Sequence, residues 1–77
     1  MSNTMLDVIL HIDEETTHEE REDLRDVFLG KRGVMTADCR DDRPHLMIVG
    51  FDPENISTSE LLATAKNRGY HTELIAM

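Results

Sequence analysis

The sequence predicts an α+β domain, a ferredoxin-like βαββαβ sandwich in which a four-stranded antiparallel sheet of order 4-1-3-2 carries two helices on one face. Three observations predict it. Leu6, Val8, Leu10 and Ile12 alternate with Asp7, Ile9 and His11, the period of a strand half-buried against a helix layer. Thr17 with Glu20, and Ser57 with Glu60, each set a hydroxyl three residues ahead of a glutamate, the spacing of a capping box at a helix start. Two extended segments stand between the helices and one follows the second. That order closes into one sheet through two right-handed split crossovers.

Taken in order, residues 1–4 are expected to fray and 5–12 to form the first strand. The first helix is expected over 18–29, where Leu24, Val27 and Phe28 recur at helical spacing before Gly30-Lys31-Arg32-Gly33 breaks the run. Residues 34–39 read as a weaker strand, and Asp41-Asp42-Arg43-Pro44 as the turn after it. The apolar run 45–51 is a third strand, closed at Asp52-Pro53 because proline removes the N–H that a continuing strand needs. Ile56 precedes the Ser57 cap and is placed to staple onto Leu61, while Leu61, Leu62 and Ala65 make the second helix's apolar stripe. Gly69 supplies the left-handed position that ends this helix, with Lys66 and Arg68 favourable against its C-terminal dipole. Residues 70–75 then alternate into the last strand.

Seventy-seven residues make one domain, 1–77, with a core too thin for an internal active-site cavity unless a second copy or a partner completes it. No apolar run approaches the roughly twenty residues of a membrane span, and residues 1–7 lack the basic and apolar regions of a secretory signal. One cysteine makes no internal disulfide, in keeping with a reducing compartment, so a cytoplasmic location is expected. Lys and Arg number 8 against 16 Asp and Glu, a formal net charge of −8. That charge repels phosphate backbones, and two Phe, one Tyr and no Trp offer no stacking platform, which argues against nucleic acid as a partner. Half of the acids lie between residues 13 and 26, opposed there by Arg21 and Arg25. A solvated helix face accounts for such a run, and steering of a cation or a basic partner is its functional reading.

Several residues together carry a family resemblance. The Gly33-Val34 start of the second strand, the strand ending Val49-Gly50-Phe51-Asp52-Pro53, then Ile56-Ser57 and Gly69-Tyr70, resemble the heavy-metal-associated domain of copper chaperones and metal-pumping ATPases. The likeness is strongest over 46–75. Members of that family carry Gly-Met-x-Cys-x-x-Cys between strand one and helix one, where two thiolates clamp a soft ion such as Cu(I). Anchored on Leu24, Val27 and Phe28, this sequence has Thr17 and Glu20 at the two cysteine positions. A capping box has replaced the clamp, so no residue of the family's metal site carries over.

The predicted topology brings the end of strand one, the start of helix one, the hairpin between strands two and three and the start of strand four to one pole. His11, His18, Cys39, His45 and His71 share that pole with Asp13, Glu14, Glu15, Asp41 and Asp42. Imidazoles and carboxylates suit a divalent transition metal, Zn(II), Ni(II) or Cu(II), and the candidate ligands are His11, His71, His18 and Asp13, with His11 and His71 expected as a cross-strand pair. Chance clustering of imidazoles on a small acidic protein is the competing account. Cys39 reads as a ligand, a redox-sensitive thiol or a small hydrophobe in a strand; Met35 and Met47 read as core filling. No nucleophile elbow, phosphate loop or serine–histidine pattern is present, so an enzyme is not expected.

The alternation also leaves an apolar patch. With Val8, Leu10, Val49 and Phe51 turned toward the helices, Ile9, Leu46, Ile48 and Ile75 collect on the uncovered face of the sheet, and such patches mark interfaces. The sequence therefore reads as a binding or assembly module that acts as a homodimer or with a protein partner, requires no cofactor and contacts neither nucleic acid nor membrane. Binding or delivery of a divalent metal is the alternative, and a small-ligand regulatory domain a more remote one.

Overall fold

In the computed structural model, which describes residues 5–76, strand β1 (Leu6–Ile12) buries Val8, Leu10 and Ile12 and turns Ile9 and His11 to the opposite side. The strict period of two is therefore realised. Strand β3 (Arg43–Phe51) pairs antiparallel with it, Val8 opposite Val49 and Ile9 opposite Ile48, and buries Met47, Val49 and Phe51 on the same side. Strands β2 (Val34–Arg40) and β4 (Thr72–Ala76) flank this pair in the order β2-β3-β1-β4, the predicted order read from the other edge. Helices α1 (His18–Leu29) and α2 (Thr58–Asn67) close the buried side: Leu24, Phe28, Leu61 and Ala65 join the inward strand residues and Ile56 in one cluster. Each fully buried Val, Leu, Ile or Phe contributes about 1.5–3 kcal/mol, so this single apolar layer is the main cohesive element. The expected fraying of residues 1–4 lies outside the described residues.

Both helix starts are built as their spacing predicts, to different degrees. Thr17 Oγ1 accepts from the Glu20 N–H at 3.1 Å, and Glu20 Oε1 accepts from the Thr17 N–H at 2.9 Å, a complete capping box. At α2 the Ser57 hydroxyl accepts from the Glu60 N–H at 3.2 Å, but the Glu60 carboxylate turns to that hydroxyl, 3.4 Å away, and leaves the Ser57 N–H alone. Half of the predicted box forms there. At the other end of α2, Gly69 takes φ +93°, its N–H donates to the Lys66 carbonyl and the Tyr70 N–H donates to the Ala65 carbonyl. Those two bonds define a Schellman motif, which requires the left-handed residue that glycine supplies.

Two expected boundaries are corrected. Pro44 was placed in the turn, yet the turn is Asp41-Asp42 and β3 already begins at Arg43. The β2–β3 ladder jumps from Cys39 opposite Met47 to Arg40 opposite Arg43, and β1 pairing stops at Leu46, so Pro44 sits where neither neighbour needs its missing N–H. The last strand starts at Thr72, not at residue 70, because the Tyr70 N–H is engaged by the end of α2.

Thr17→Ala removes the acceptor for an otherwise orphaned N–H, and should lower the unfolding free energy by about 1 kcal/mol. Chemical denaturation measures it; a midpoint equal to wild type would show that the box contributes nothing to folding.

Candidate functional site

The predicted pole exists, and its centre is an arginine. Arg21 lies one turn ahead of Leu24 and two ahead of Phe28, so it falls on the buried stripe of α1, and only 6% of it is exposed. Its Nη1 donates to the Thr16 carbonyl at 2.6 Å and to the Thr16 hydroxyl at 3.2 Å, while Nη2 donates to Asp41 Oδ1 at 2.8 Å. One buried guanidinium thus ties the β1–α1 loop to the β2–β3 turn. The Thr16 hydroxyl also reaches the Pro44 carbonyl, at 3.5 Å. Sequence reasoning took Arg21 for a surface counter-charge. The i, i+3, i+7 relation of 21, 24 and 28 was the signal that could have found it.

Three of the four imidazoles are set against separate carboxylates, and the fourth, His45, places Nδ1 2.6 Å from the Ile12 carbonyl. His18 places Nδ1 2.7 Å from Asp41 Oδ1 and Nε2 3.2 Å from Glu22 Oε2, so both ring nitrogens face anions and the protonated ring is favoured; hydrogen bonding to Asp41, then the charges of Asp41 and Glu22, raise its pKa. The same contact, with Arg21 second, lowers that of Asp41. His71 Nδ1 lies 2.6 Å from Glu14 Oε2, which raises the His71 pKa and lowers that of Glu14. His11 Nδ1 is 3.2 Å from Asp13 Oδ1, and its ring stacks on that of His45 with centroids 5.6 Å apart.

The proposed ligand set His11, His71, His18 and Asp13 is therefore brought to one pole but not to one point. Among these four, the one side-chain contact is between His11 and Asp13. The residue opposite His11 is Glu73, not His71, and the Asp13 N–H donates to the His71 carbonyl at 2.9 Å. His71 is level with Asp13, a full pleat repeat from His11, and its ring is drawn to Glu14. Among the described residues no three His, Cys, Asp or Glu side chains gather as a metal-binding group. Cys39 is half-buried against the core, and desolvation raises its thiol pKa.

On the uncovered side of the sheet, Ile9, Leu46 and Ile48 line a trough of about 360 Å³, with Asp38, Arg40 and Arg43 around it. Ile48 is 42% and Ile75 52% exposed. Ile75 stands apart from the trough. The β1–β4 ladder passes from Leu10 opposite Leu74 to Ile9 opposite Ala76, so Ile75 is the extra residue of a bulge. The flanking charges were not foreseen, because the weak pattern of β2 did not show which of its residues share that face.

No protein-family model matches the sequence, and no curated protein matches it. Solved structures match in fold. Oxidised MerP from Ralstonia metallidurans CH34 aligns at TM-score 0.83 and 18% identity, over 92% of this chain and 97% of that one. The N-terminal domain of a potential copper-translocating P-type ATPase from Bacillus subtilis, in its Cu(I)-loaded state, aligns at TM-score 0.86 and 18% identity over 95% and 90%. The apo copper chaperone of Enterococcus hirae aligns at 0.79 and 16% over 88% and 98%. At these identities the likeness is one of fold. The chain has the fold of heavy-metal-associated domains, and with Cys39 as its one cysteine it has no Cys-x-x-Cys pair. Among the described residues no helix is long and apolar enough to cross a membrane.

The two imidazole–carboxylate ties give stability a defined pH dependence. His18 and His71 have raised folded pKa values, so their contribution is full below the ordinary imidazole value of about 6.5 and is lost as pH rises through the raised ones. Asp41 and Glu14 have lowered values, so theirs is present above the ordinary carboxylate range and lost as pH falls. The thermal midpoint should be highest at about pH 5–6 and decline toward pH 8. His18→Gln should flatten the alkaline decline, and an unaltered profile in that variant would remove His18 from the account.

Proposed function

We propose that this domain keeps the heavy-metal-associated fold without its soft-metal chemistry, and works in the cytoplasm as a protein-binding or assembly module through the open face of its sheet. The observation that carries this reading is the Thr17–Glu20 capping box. At the start of α1, where the resembled family sets two thiolates, the Thr17 and Glu20 side-chain oxygens are engaged by backbone N–H groups of the helix start. Arg21 and Asp41 close the loop beside them. Hard oxygens in those roles do not compete for Cu(I), and the lone Cys39 is half-buried with a raised pKa that disfavours the ligating thiolate.

Competition against a Cu(I) chelator at neutral pH tests it. The chelator should strip the ion completely. Retention of one equivalent by wild type, lost in Cys39→Ala, would overturn the reading.

One observation favours a second reading, binding or delivery of Zn(II), Ni(II) or Cu(II) by His11, His71, His18 and Asp13. Three imidazole–carboxylate pairs stand at the pole, His11–Asp13, His18–Asp41 and His71–Glu14; at His11 and His71 the carboxylate on Nδ1 orients Nε2 for a metal, whereas the Nε2 of His18 must first give up Glu22. Affinity then falls as the rings protonate, beginning above the ordinary value of about 6.5 for His18 and His71. Calorimetry with Zn(II) and Ni(II) that shows no heat, or equal heat in His11→Ala and His71→Ala, excludes this second reading.

A further inference from the structure

We propose that the open sheet face is the contact between two copies of this chain, related by a two-fold axis that crosses the strands between the Ile48–Ile9 row and the Leu46–His11 row. The proposal rests on the reading of this face as the assembly surface, and it names both the occupant and the register.

Charge selects the occupant. The chain carries a net charge of −8, and half of its acids lie between residues 13 and 26, on α1 and the loop before it. Both helices cover the other face of the sheet, so two copies that meet by their open faces point the five acids of α1 away from each other, while Asp13 stays beside His11 at the edge of the open face. Around the trough the balance is reversed, two arginines against one aspartate. Arg40 is closed on Asp42, with two contacts of 3.1 Å. Neither Arg43 nor Asp38 has an ion-pair partner among the described residues. An unpaired cation and an unpaired anion beside one apolar trough make a surface that complements itself.

The register then sets the axis. Asp38 is opposite Ile48 and Ile48 opposite Ile9, which makes one row across three strands. Leu46 is opposite His11 in the next row on the same face, and Arg43 stands opposite Arg40 at that end of the β2–β3 hairpin. Rows on one face repeat at about 7 Å. Rotation by half a turn about a line between them lays Ile48 of one copy on Leu46 of the other and brings Asp38 over Arg40 of the second copy, which is closed on Asp42, with the unpaired Arg43 of that copy opposite Arg40. An axis through the Ile48 row itself would set Asp38 against Asp38. The offset arrangement avoids that repulsion, closes on itself and makes every contact twice, so it stops at a dimer.

Sedimentation equilibrium of the full 77-residue chain tests it. Wild type should be a reversible dimer. Ile48→Glu, at a position already 42% exposed, should give a monomer with unchanged far-ultraviolet circular dichroism. Asp38→Arg and Arg43→Asp should each raise the dissociation constant about tenfold, since each breaks two symmetric contacts and sets like charges together. Both substitutions in one chain should restore it, which general damage to the fold would not do. A wild type that stays monomeric at high concentration overturns the proposal and leaves the Cu(I) result to decide the broader reading. Dimerisation abolished by Ile48→Glu but not restored by the charge exchange overturns the offset axis, with the open face still the interface.

Discussion

Strands β1 and β3 lie antiparallel with Val8 opposite Val49 and Ile9 opposite Ile48, and a slip of one residue would exchange the two faces of the sheet. Everything else in the domain is built on that register. It commits Val8, Leu10, Ile12, Met47, Val49 and Phe51 to a single layer beneath the helices, and by the same alternation it commits Ile9, Leu46 and Ile48 to the uncovered side. Core and exposed patch are two consequences of one pairing. A sheet with helices on one face only cannot bury both sets.

The pole of the domain holds together by other means. In the resembled family the β1–α1 loop presents thiolates; here the same loop is gathered by hydrogen bonds to Thr17, Glu20 and Arg21. A guanidinium only 6% exposed must find acceptors in place of water, and its Nη1 and Nη2 find them in the Thr16 carbonyl and the Asp41 carboxylate, while Nε has none among the described residues. His18 then adds its ring to the same Asp41 oxygen, and His71 makes a parallel tie to Glu14. Loop, hairpin turn and the start of β4 are thereby joined through polar contacts.

What could be read before the structure was local. Helix α1 was placed at residues 18–29 and is found at His18–Leu29, because its cap, its apolar spacing and its glycine break are all short-range signals. The Schellman end at Gly69 and the half-buried alternation of β1 are of the same kind. What escaped was long-range. The turn residues Asp41-Asp42-Arg43-Pro44 read as one turn, whereas the bulged ladder around Pro44 leaves a place in β3 where no N–H is required. Adjacent strands and a shared open face suggest His71 as the partner of His11, but the pairing depends on the register of β4, which Tyr70 delays by engaging the end of α2.

The sequence by itself determined the element order, both helix caps, and the inward and outward faces of the central strands. These follow from periodicity and from contacts within four residues along the chain. Only the tertiary structure decided that Arg21 is buried, that His11, His18 and His71 are set against different carboxylates, and that Asp38 and Arg43 flank the apolar trough. Those outcomes depend on side chains distant in sequence, Arg21 with Asp41, His71 with Glu14, and strand β2 with its neighbour β3. Their partners are chosen by the register of the folded sheet, which no local pattern encodes.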